Sequence, residues 1–482
     1  EGRRGGAILA ERNVGMFLWA LSRPSLAEQY GLTPHCEAVL SSVTASGRRL
    51  HGLSLSGLMA AAQYQGLGLL EARLLGEHVA RGAMQVVGRT AAALRLAESG
   101  AATSALNLLE DSAAAGDVVA RRVWLACGGA PRVVATAPPS CAAPVRGEPY
   151  MKELRLFHHL VEVASPGDVD AILGAVEAFG AGTLPETSHW LKVAGGDKAV
   201  LLREAATRPG SGLALEIGTY CGYSAMEIAR ARQQRSDARQ RGAPLVLSLE
   251  VDAAHAAIAK NVLAFAGMLH DVEILTGHSE DVLPWVVRQL GPASVDLLFM
   301  DQRGSRYEAD LRTIVDAGVL GNDAVVVADN VLKPGAPAFL WLISHSDCFE
   351  TKVFSVPEFA MPGVEDWMTV SAYRPSPFTL AANASPIATA STGASQALGP
   401  PPPAVRVLEW RAEQMRARTH QPDSGGIGVD FAEWARFSAA MRQDMLGAGL
   451  VVTPVSECHG RLEYAGTTQR VEDACDITAD AS

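Results

Sequence analysis

The feature that most constrains the fold is a run of short apolar segments, at 213–218, 245–251, 272–277, 295–301 and 324–329, separated by stretches of helical periodicity. Segments about six residues long that are apolar throughout, not alternating, suit strands buried on both faces. Parallel neighbours of that kind need crossover connections, and the helical stretches between them are long enough to supply these. The chain is therefore expected to be α/β, with a mostly parallel sheet covered by helices. Two further extended runs, 349–355 and 367–373, are expected to close one edge as an antiparallel pair and bring the strand count to seven.

Composition divides the rest. Residues 1–134 are rich in Ala, Leu and Gly, with helix-period stretches at 55–75 and 89–109 and a capping-type start at Ser104. They read as a helical extension of unknown role, without a repeat of fixed period. The segment 135–149 carries four prolines and reads as a linker into a central unit, 150–375. A second linker, 376–404, is rich in Pro, Ala and Ser, and seven prolines fall within 375–403. Beyond it, 405–419 and 430–446 read as helices of a small C-terminal extension, 405–482, also of unknown role.

The chain has 482 residues, 48% hydrophobic and 19% charged, so it is too apolar for general disorder. Its 41 Lys plus Arg against 52 Asp plus Glu give a net charge of −11, which disfavours nucleic acid and anionic membrane as partners. No stretch approaches the roughly 18 apolar residues of a membrane helix. The seven cysteines are scattered, with no C-x-x-C pair, which excludes a disulfide framework and a zinc knuckle and fits a reducing compartment. A cytoplasmic location is expected, although residue 1 is Glu and an upstream targeting signal is left open.

The first strand runs into Leu215-Glu216-Ile217-Gly218-Thr219-Tyr220-Cys221-Gly222-Tyr223-Ser224, a strand-to-helix turn without the Lys-Ser/Thr ending of a triphosphate loop. Gly218 and Gly222 permit close backbone approach to a ligand. The second strand ends in Glu250, one strand over at the same edge, where a carboxylate can accept from both hydroxyls of a ribose. Turn and acid together indicate a nucleoside ligand, while the G-x-G-x-x-G spacing of dinucleotide sites is absent. The fourth strand ends in Asp301 and the fifth in Asp329-Asn330. Three oxygen donors at adjacent strand ends suit a hard cation such as Mg²⁺. Each Asp taken alone would read as a helix cap.

Residues 215–224, Phe299-Met300-Asp301 with Arg306-Tyr307, and Ala328-Asp329-Asn330-Val331 with Pro334-Gly335-Ala336-Pro337 resemble the catechol O-methyltransferase family. The resemblance covers about 151–375. It implies a Rossmann-like class I methyltransferase sheet, S-adenosylmethionine as methyl donor, Mg²⁺, and a catechol or similar small molecule with vicinal hydroxyls as acceptor. By position, Asp301, Asp329 and Asn330 match the metal ligands, and Asn330 also touches the acceptor. Glu216, Gly218, Tyr220, Ser224, Glu250, Ser279 and Asp301 match cofactor-contacting positions, while Ala194, Val251 and Gln302 occupy further ones with altered side chains. Glu358, in Ser355-Val356-Pro357-Glu358-Phe359, matches the glutamate that holds the second hydroxyl. Trp190 and Pro334 match the apolar gate around the acceptor ring.

The chain departs from the family where catalysis is most sensitive. The lysine used as general base falls on Gly304, an aromatic gate residue is Arg303, and the histidine packed against adenine is Gln302. Lys333, one of six lysines and three residues past Asn330, is the replacement base expected to reach across the volume that Gly304 leaves open. Binding of an acceptor carboxylate and plain solvation on the loop are its other readings. Two functions follow: a Mg²⁺-dependent O-methyltransferase, or a catalytically weak protein of the same fold that senses a ligand between two partner-binding extensions.

Overall fold

The computed structural model describes residues 84–114, 117–126, 150–183, 190–234, 244–375, 400–419, 429–452 and 455–458, with a few isolated positions between 59 and 74 and at 129. The expected strands form as β1 (Leu213–Ile217), β2 (Val246–Glu250), β3 (Val272–Thr276), β4 (Val295–Met300), β5 (Leu320–Ala328), β6 (Phe349–Pro357) and β7 (Glu365–Tyr373). β5 starts earlier than its apolar run because Gly321, Asn322 and Asp323 form a solvent-facing beginning that apolarity does not mark. An eighth strand, β8 (Ser456–Glu457), comes from beyond the second linker and pairs parallel with β6. The seven-strand expectation missed it because two exposed polar residues carry no periodicity.

The sheet order is β3-β2-β1-β4-β5-β7-β6-β8, with β7 antiparallel to both β5 and β6. Side chains alternate between its faces. Ala214, Val246, Leu297, Phe299, Val325 and Val327 enter one core, and Leu215, Leu247, Leu298, Met300, Val326 and Ala328 enter the other.

Thirteen helices are numbered here among the described residues. The N-terminal ones are α1 (Met84–Glu98), α2 (Ala102–Ala114) and α3 (Val118–Ala126). The first core is covered by α4 (Met151–Val163), α5 (Val169–Ala178), α6 (Asp197–Ala206), α7 (Tyr223–Gln233) and α8 (Ala253–Ala266). The second is covered by α9 (Ser279–Leu290), α10 (Tyr307–Asp316), α11 (Pro337–His345), α12 (Pro403–Thr419) and α13 (Phe431–Gly447). None is long and apolar enough to cross a membrane.

The helix-period stretch 89–109 falls on two helices, α1 and α2, separated at Ser99-Gly100-Ala101, where Gly100 has φ 78°. Ser104 lies inside α2 and caps nothing, since the helix already begins at Ala102. Most of 55–75 and the linker residues 135–149 and 376–399 lie outside the described residues.

Both flanks pack on the central unit. α1 and α3 lie along α8, and buried Asn261 of α8 donates from Nδ2 to Val87 O at 2.9 Å. This cover explains why α8, Ala-rich and nearly without a polar face, is buried at most positions: the sheet lies on one side and other helices on the other. At the opposite end, α12 and α13 rest on the turn Val331–Gly335. Arg303 Nε donates to Glu413 Oε2 at 3.0 Å and Arg406 pairs with Glu308 at 3.2 Å, tying α12 down.

Candidate active site

Strand register places Ile217 opposite Met300 and Met300 opposite Ala328. The next residue of each strand, Gly218, Asp301 and Asp329, therefore emerges at one carboxyl edge, at the point where the chain order reverses between β1 and β4. Gly218 is obligatory there: its φ is 101° and a Cβ would stand 2.5 Å from Asp301 O.

On the β1–β2 side, Glu250 Oε2 accepts from the N–H groups of Thr219 (3.2 Å) and Tyr220 (2.7 Å), and its Oε1 from Asp252 N (2.8 Å). The carboxylate thus shapes the glycine turn, and its remaining lone pairs are available to a ligand. Tyr220, at φ 50°, donates its hydroxyl to Glu153 Oε1 at 2.6 Å. Glu216 is fully buried; Ser248 donates to its Oε2, while Oε1 has no hydrogen-bond partner. Burial pushes this carboxyl up to about 7, against the hydroxyls of Ser224 and Ser248. Ser279 Oγ (2.6 Å) and Gln302 Nε2 (3.1 Å) both donate to Asp310 Oδ2, and Gln302 Oε1 is buried without a partner. Ala194 is buried, whereas Val251 is exposed. Glu216, Gly218, Tyr220, Ser224 and Glu250 are thus gathered around one turn, and Ser279 and Gln302 around one carboxylate.

On the β4–β7 side, buried Lys198 grips three carboxylates: Asp329 Oδ1 at 2.8 Å, Glu358 Oε2 at 2.6 Å and Asp366 Oδ2 at 2.7 Å. Burial opposes its charge, but the three anions reverse that and hold the ammonium well above the ordinary lysine range. Burial also disfavours the Glu358 anion, yet Lys198 and Lys333 outweigh it and hold the carboxyl at about 2. For Asp366 burial wins, pushing it up to about 7. Asn330, in the left-handed region at φ 57°, donates from Nδ2 to Asp301 Oδ1 at 2.7 Å. Burial and the adjacent Asp329 charge hold Asp301 well above the usual carboxylate range.

Lys333 is not a solvated loop residue. It is 3% exposed, with Nζ 3.3 Å from Glu358 Oε1 and 3.4 Å from Met361 Sδ. The ammonium lies between two indoles, 5.5 Å from the Trp190 ring centroid and 4.9 Å from that of Trp434 on α13. Burial draws it below the ordinary lysine range, and Glu358 opposes this. Trp190, Lys333 and Glu358 are therefore brought together, with half-buried Pro334 next in the chain. The volume expected to be open beside Gly304 is filled. A Cβ there would collide with Arg416 Nη2 of α12 and stand 2.7 Å from Gly335 O. Arg303, in the gate position, is turned outward to Glu413.

Sequence reasoning missed Lys198, Asp366, Trp434 and Arg416. Asp366 had a signal, as a carboxylate directly before the extended run 367–373; Lys198 had a weaker one, as a lysine rooted among Ala199, Leu201 and Leu202. Trp434 and Arg416 lie beyond a long linker, where nothing local connects them to the site.

The residues present fit both groups that the turn and the strand ends suggest. Two carboxylates and an amide, able to present its oxygen by turning about its bond, are hard donors for Mg²⁺. Asp329, Glu358 and Asp366 share Lys198, and Lys333 adds one pairing to Glu358, so together with Asp301 these carboxylates outnumber the ammonium groups paired with them and suit a divalent cation. Among the described residues no three His, Cys, Asp or Glu side chains form a metal group. The unpaired Glu216 oxygen beside the Gly218 turn suits a cationic ligand such as S-adenosylmethionine.

Residues 215–331 match a family model described as a methyltransferase domain. Catechol O-methyltransferase of Mus musculus is 32% identical over 204 residues, covering 42% of this chain and 72% of the relative. The transmembrane O-methyltransferase of Homo sapiens is 31% identical over 224 residues, covering 46% of this chain and 72% of the relative. Among solved structures, an O-methyltransferase from Bacillus cereus in complex with SAH is 21% identical, with a TM-score of 0.32, covering 42% of this chain and 89% of that one. At 32% identity over 72% of the mouse enzyme's length, and with a methyltransferase-domain match over 215–331, the chain belongs to the catechol O-methyltransferase family and is an S-adenosylmethionine-dependent O-methyltransferase.

Proposed function

We propose that the protein methylates one hydroxyl of a catechol-like or other vicinal-hydroxyl small molecule, with Mg²⁺ held by Asp301, Asp329 and Asn330. The observation that carries this reading is the convergence of those donors at one sheet edge beside the charge-deficient cluster of Asp329, Glu358 and Asp366. When bound, the two groups would supply an electrophilic methyl and a Lewis acid.

The chain's own residues do the rest. The β1–β2 side binds the cofactor, with Glu250 on the ribose and Glu216 and Ser224 beneath the turn; Ala194, Tyr220, Val251, Ser279, Asp301 and Gln302 complete the proposed contacts. Lys198 fixes the orientations of Asp329, Glu358 and Asp366 in one stroke. Glu358 accepts from the second acceptor hydroxyl, while Trp190, Pro334 and Trp434 exclude water from the ring. Of the roles open to Lys333, its 3.3 Å pairing with Glu358 supports the charged form against the effect of burial, and so favours recognition of the acceptor over proton abstraction.

Methyl transfer to a panel of phenols, with and without excess chelator, tests the reading. Transfer is expected only to vicinal diols and only with the cation present, and Asp329→Ala should abolish it while S-adenosylmethionine still binds in calorimetry. Undiminished turnover in chelator would remove the cation from the reaction, and transfer to monophenols alone would remove the acceptor class.

A further inference from the structure

We propose that the acceptor is an anion: a ring with vicinal hydroxyls that also carries a carboxylate, read by Lys333, Lys192 and the indole N–H of Trp434. This rests on the reading above that the pocket takes a vicinal-hydroxyl ring, and it deepens that reading by naming the third substituent.

A chain of net charge −11 has only six lysines, and four of them are at this site. Lys198 is consumed by its three carboxylates. The other three surround Trp190. Lys152 Nζ donates to Trp190 O at 3.0 Å, Lys333 Nζ lies 5.5 Å from the Trp190 ring centroid, and Lys192 is two residues further along, exposed at the rim. Burial first, then Lys152 and Lys333, draw Lys192 below the ordinary lysine range, against Glu153, which pairs with Lys152 at 3.4 Å, and Asp301. Like charges crowded at a pocket mouth are relieved by an anion and worsened by a cation.

Two donors inside the pocket are under-used. Lys333 has three protons, and besides the two indole faces its side-chain partners among the described residues are one Glu358 oxygen at 3.3 Å, whose other oxygen Lys198 already holds, and the Met361 sulfur at 3.4 Å. Trp434 is 2% exposed and its Nε1–H has no hydrogen-bond partner among the described residues. Buried donors are seldom left so, and an unexplained one calls for a missing acceptor atom. The Lys333 ammonium stands over the face of the Trp434 ring, 4.9 Å from its centre, while the N–H points out in the ring plane, so the group that answers both is one with two oxygens, a carboxylate. Trp434 comes from α13, which makes the C-terminal extension a determinant of specificity.

The test uses the full chain and three probes that differ in one substituent: catechol, 3,4-dihydroxybenzoate and dopamine. Dissociation constants measured by calorimetry should place 3,4-dihydroxybenzoate at least about tenfold tighter than dopamine, with catechol between them. Lys333→Met, Trp434→Phe and the rim variant Lys192→Gln should each shrink the ratio between the carboxylate and dopamine; Lys192→Gln, at an exposed position, guards against a merely unfolded variant. Where methyl transfer is measurable, the same ratio should appear in KM. Failure of S-adenosylmethionine to bind would overturn the methyltransferase reading, yet the order of the three probes would still decide the anion. Dopamine binding as tightly as the carboxylate, equal losses for all three probes in the variants, or no binding of 3,4-dihydroxybenzoate overturns the proposal.

Discussion

Glu216 and Lys198 are opposite solutions to the same difficulty, a charge sealed from water. One Glu216 oxygen accepts from Ser248 and the other has no hydrogen-bond partner among the described residues, and burial, against the Ser224 and Ser248 hydroxyls, holds the folded chain's proton to about 7 from an ordinary 4.5. A carboxyl raised in the folded state contributes stability that is complete below about 4.5 and is lost as pH rises to about 7, roughly 3 kcal/mol at most. Glu216→Gln removes that titration. The variant should have a higher urea midpoint than wild type at pH 8, with the difference gone at pH 4.5, and should bind cationic S-adenosylmethionine more weakly. A lower midpoint at pH 8 would show that the bare oxygen does not destabilise the empty fold. Lys198 is the reverse case, since its ammonium neutralises neighbours already buried. Lys198→Met leaves Asp329, Glu358 and Asp366 without their shared partner, and breaking such a cluster should cost about 3–5 kcal/mol in denaturant unfolding. A loss below about 1 kcal/mol would mean that the three carboxylates accommodate protonation without strain.

At the scale of elements, what was legible depended on how local the cause was. β1 to β4 ended close to where their apolar runs ended, because burial on both faces leaves a one-dimensional signature. Glu250, Asp301 and Asp329 follow directly from those ends, so their convergence was readable from sequence. Glycine-rich and Ala-rich segments with little polar contrast were not, and the break at Gly100 depends on one left-handed residue. The largest error of expectation was at Gly304. Lacking a side chain, it read as open volume, whereas a helix some hundred residues away inserts Arg416 into that space. Arg416 donates to Gly335 O and pairs with Glu413, so the turn after β5, the 3₁₀ turn at Gly304 and α12 form one joint. Restoring the family lysine by Gly304→Lys should therefore not raise the rate. The new side chain would collide with Arg416 and with the Gly335 carbonyl, and overpacking of this kind costs about 1–3 kcal/mol. Combining it with Arg416→Ala should recover part of that loss in thermal unfolding. A single variant as stable as wild type and faster in methyl transfer would show that α12 yields and that the lysine alone was missing.

For the whole molecule, the sheet divides the labour of the flanks. The first core is completed by α1 and α3 on α8, and the second by α12 and α13 on the turn that carries Asn330 and Lys333. Loss of the two flanks should consequently have different effects. Removing 1–149 uncovers an alanine-rich helix with scarcely a polar face, so that chain is expected to bind a hydrophobic dye and aggregate although no residue of the site has been deleted. Removing 376–482 leaves the glycine turn, Glu216 and Glu250 as they are, because these depend on β1, β2 and α7. It takes away Trp434 and Arg416, and with them one indole beside Lys333 and the filler of the Gly304 space. A chain ending at residue 375 should therefore retain its strand signal by circular dichroism and bind S-adenosylmethionine with near-native affinity. Its urea midpoint should fall and its preference between 3,4-dihydroxybenzoate and dopamine should diminish, because a solvated Lys333 loses both its indole neighbour and its low-dielectric surroundings. Loss of cofactor binding in a shortened chain whose sheet is intact would show instead that the C-terminal helices organise the whole carboxyl edge, reaching Gly218 through the Asp301 carbonyl against which it packs.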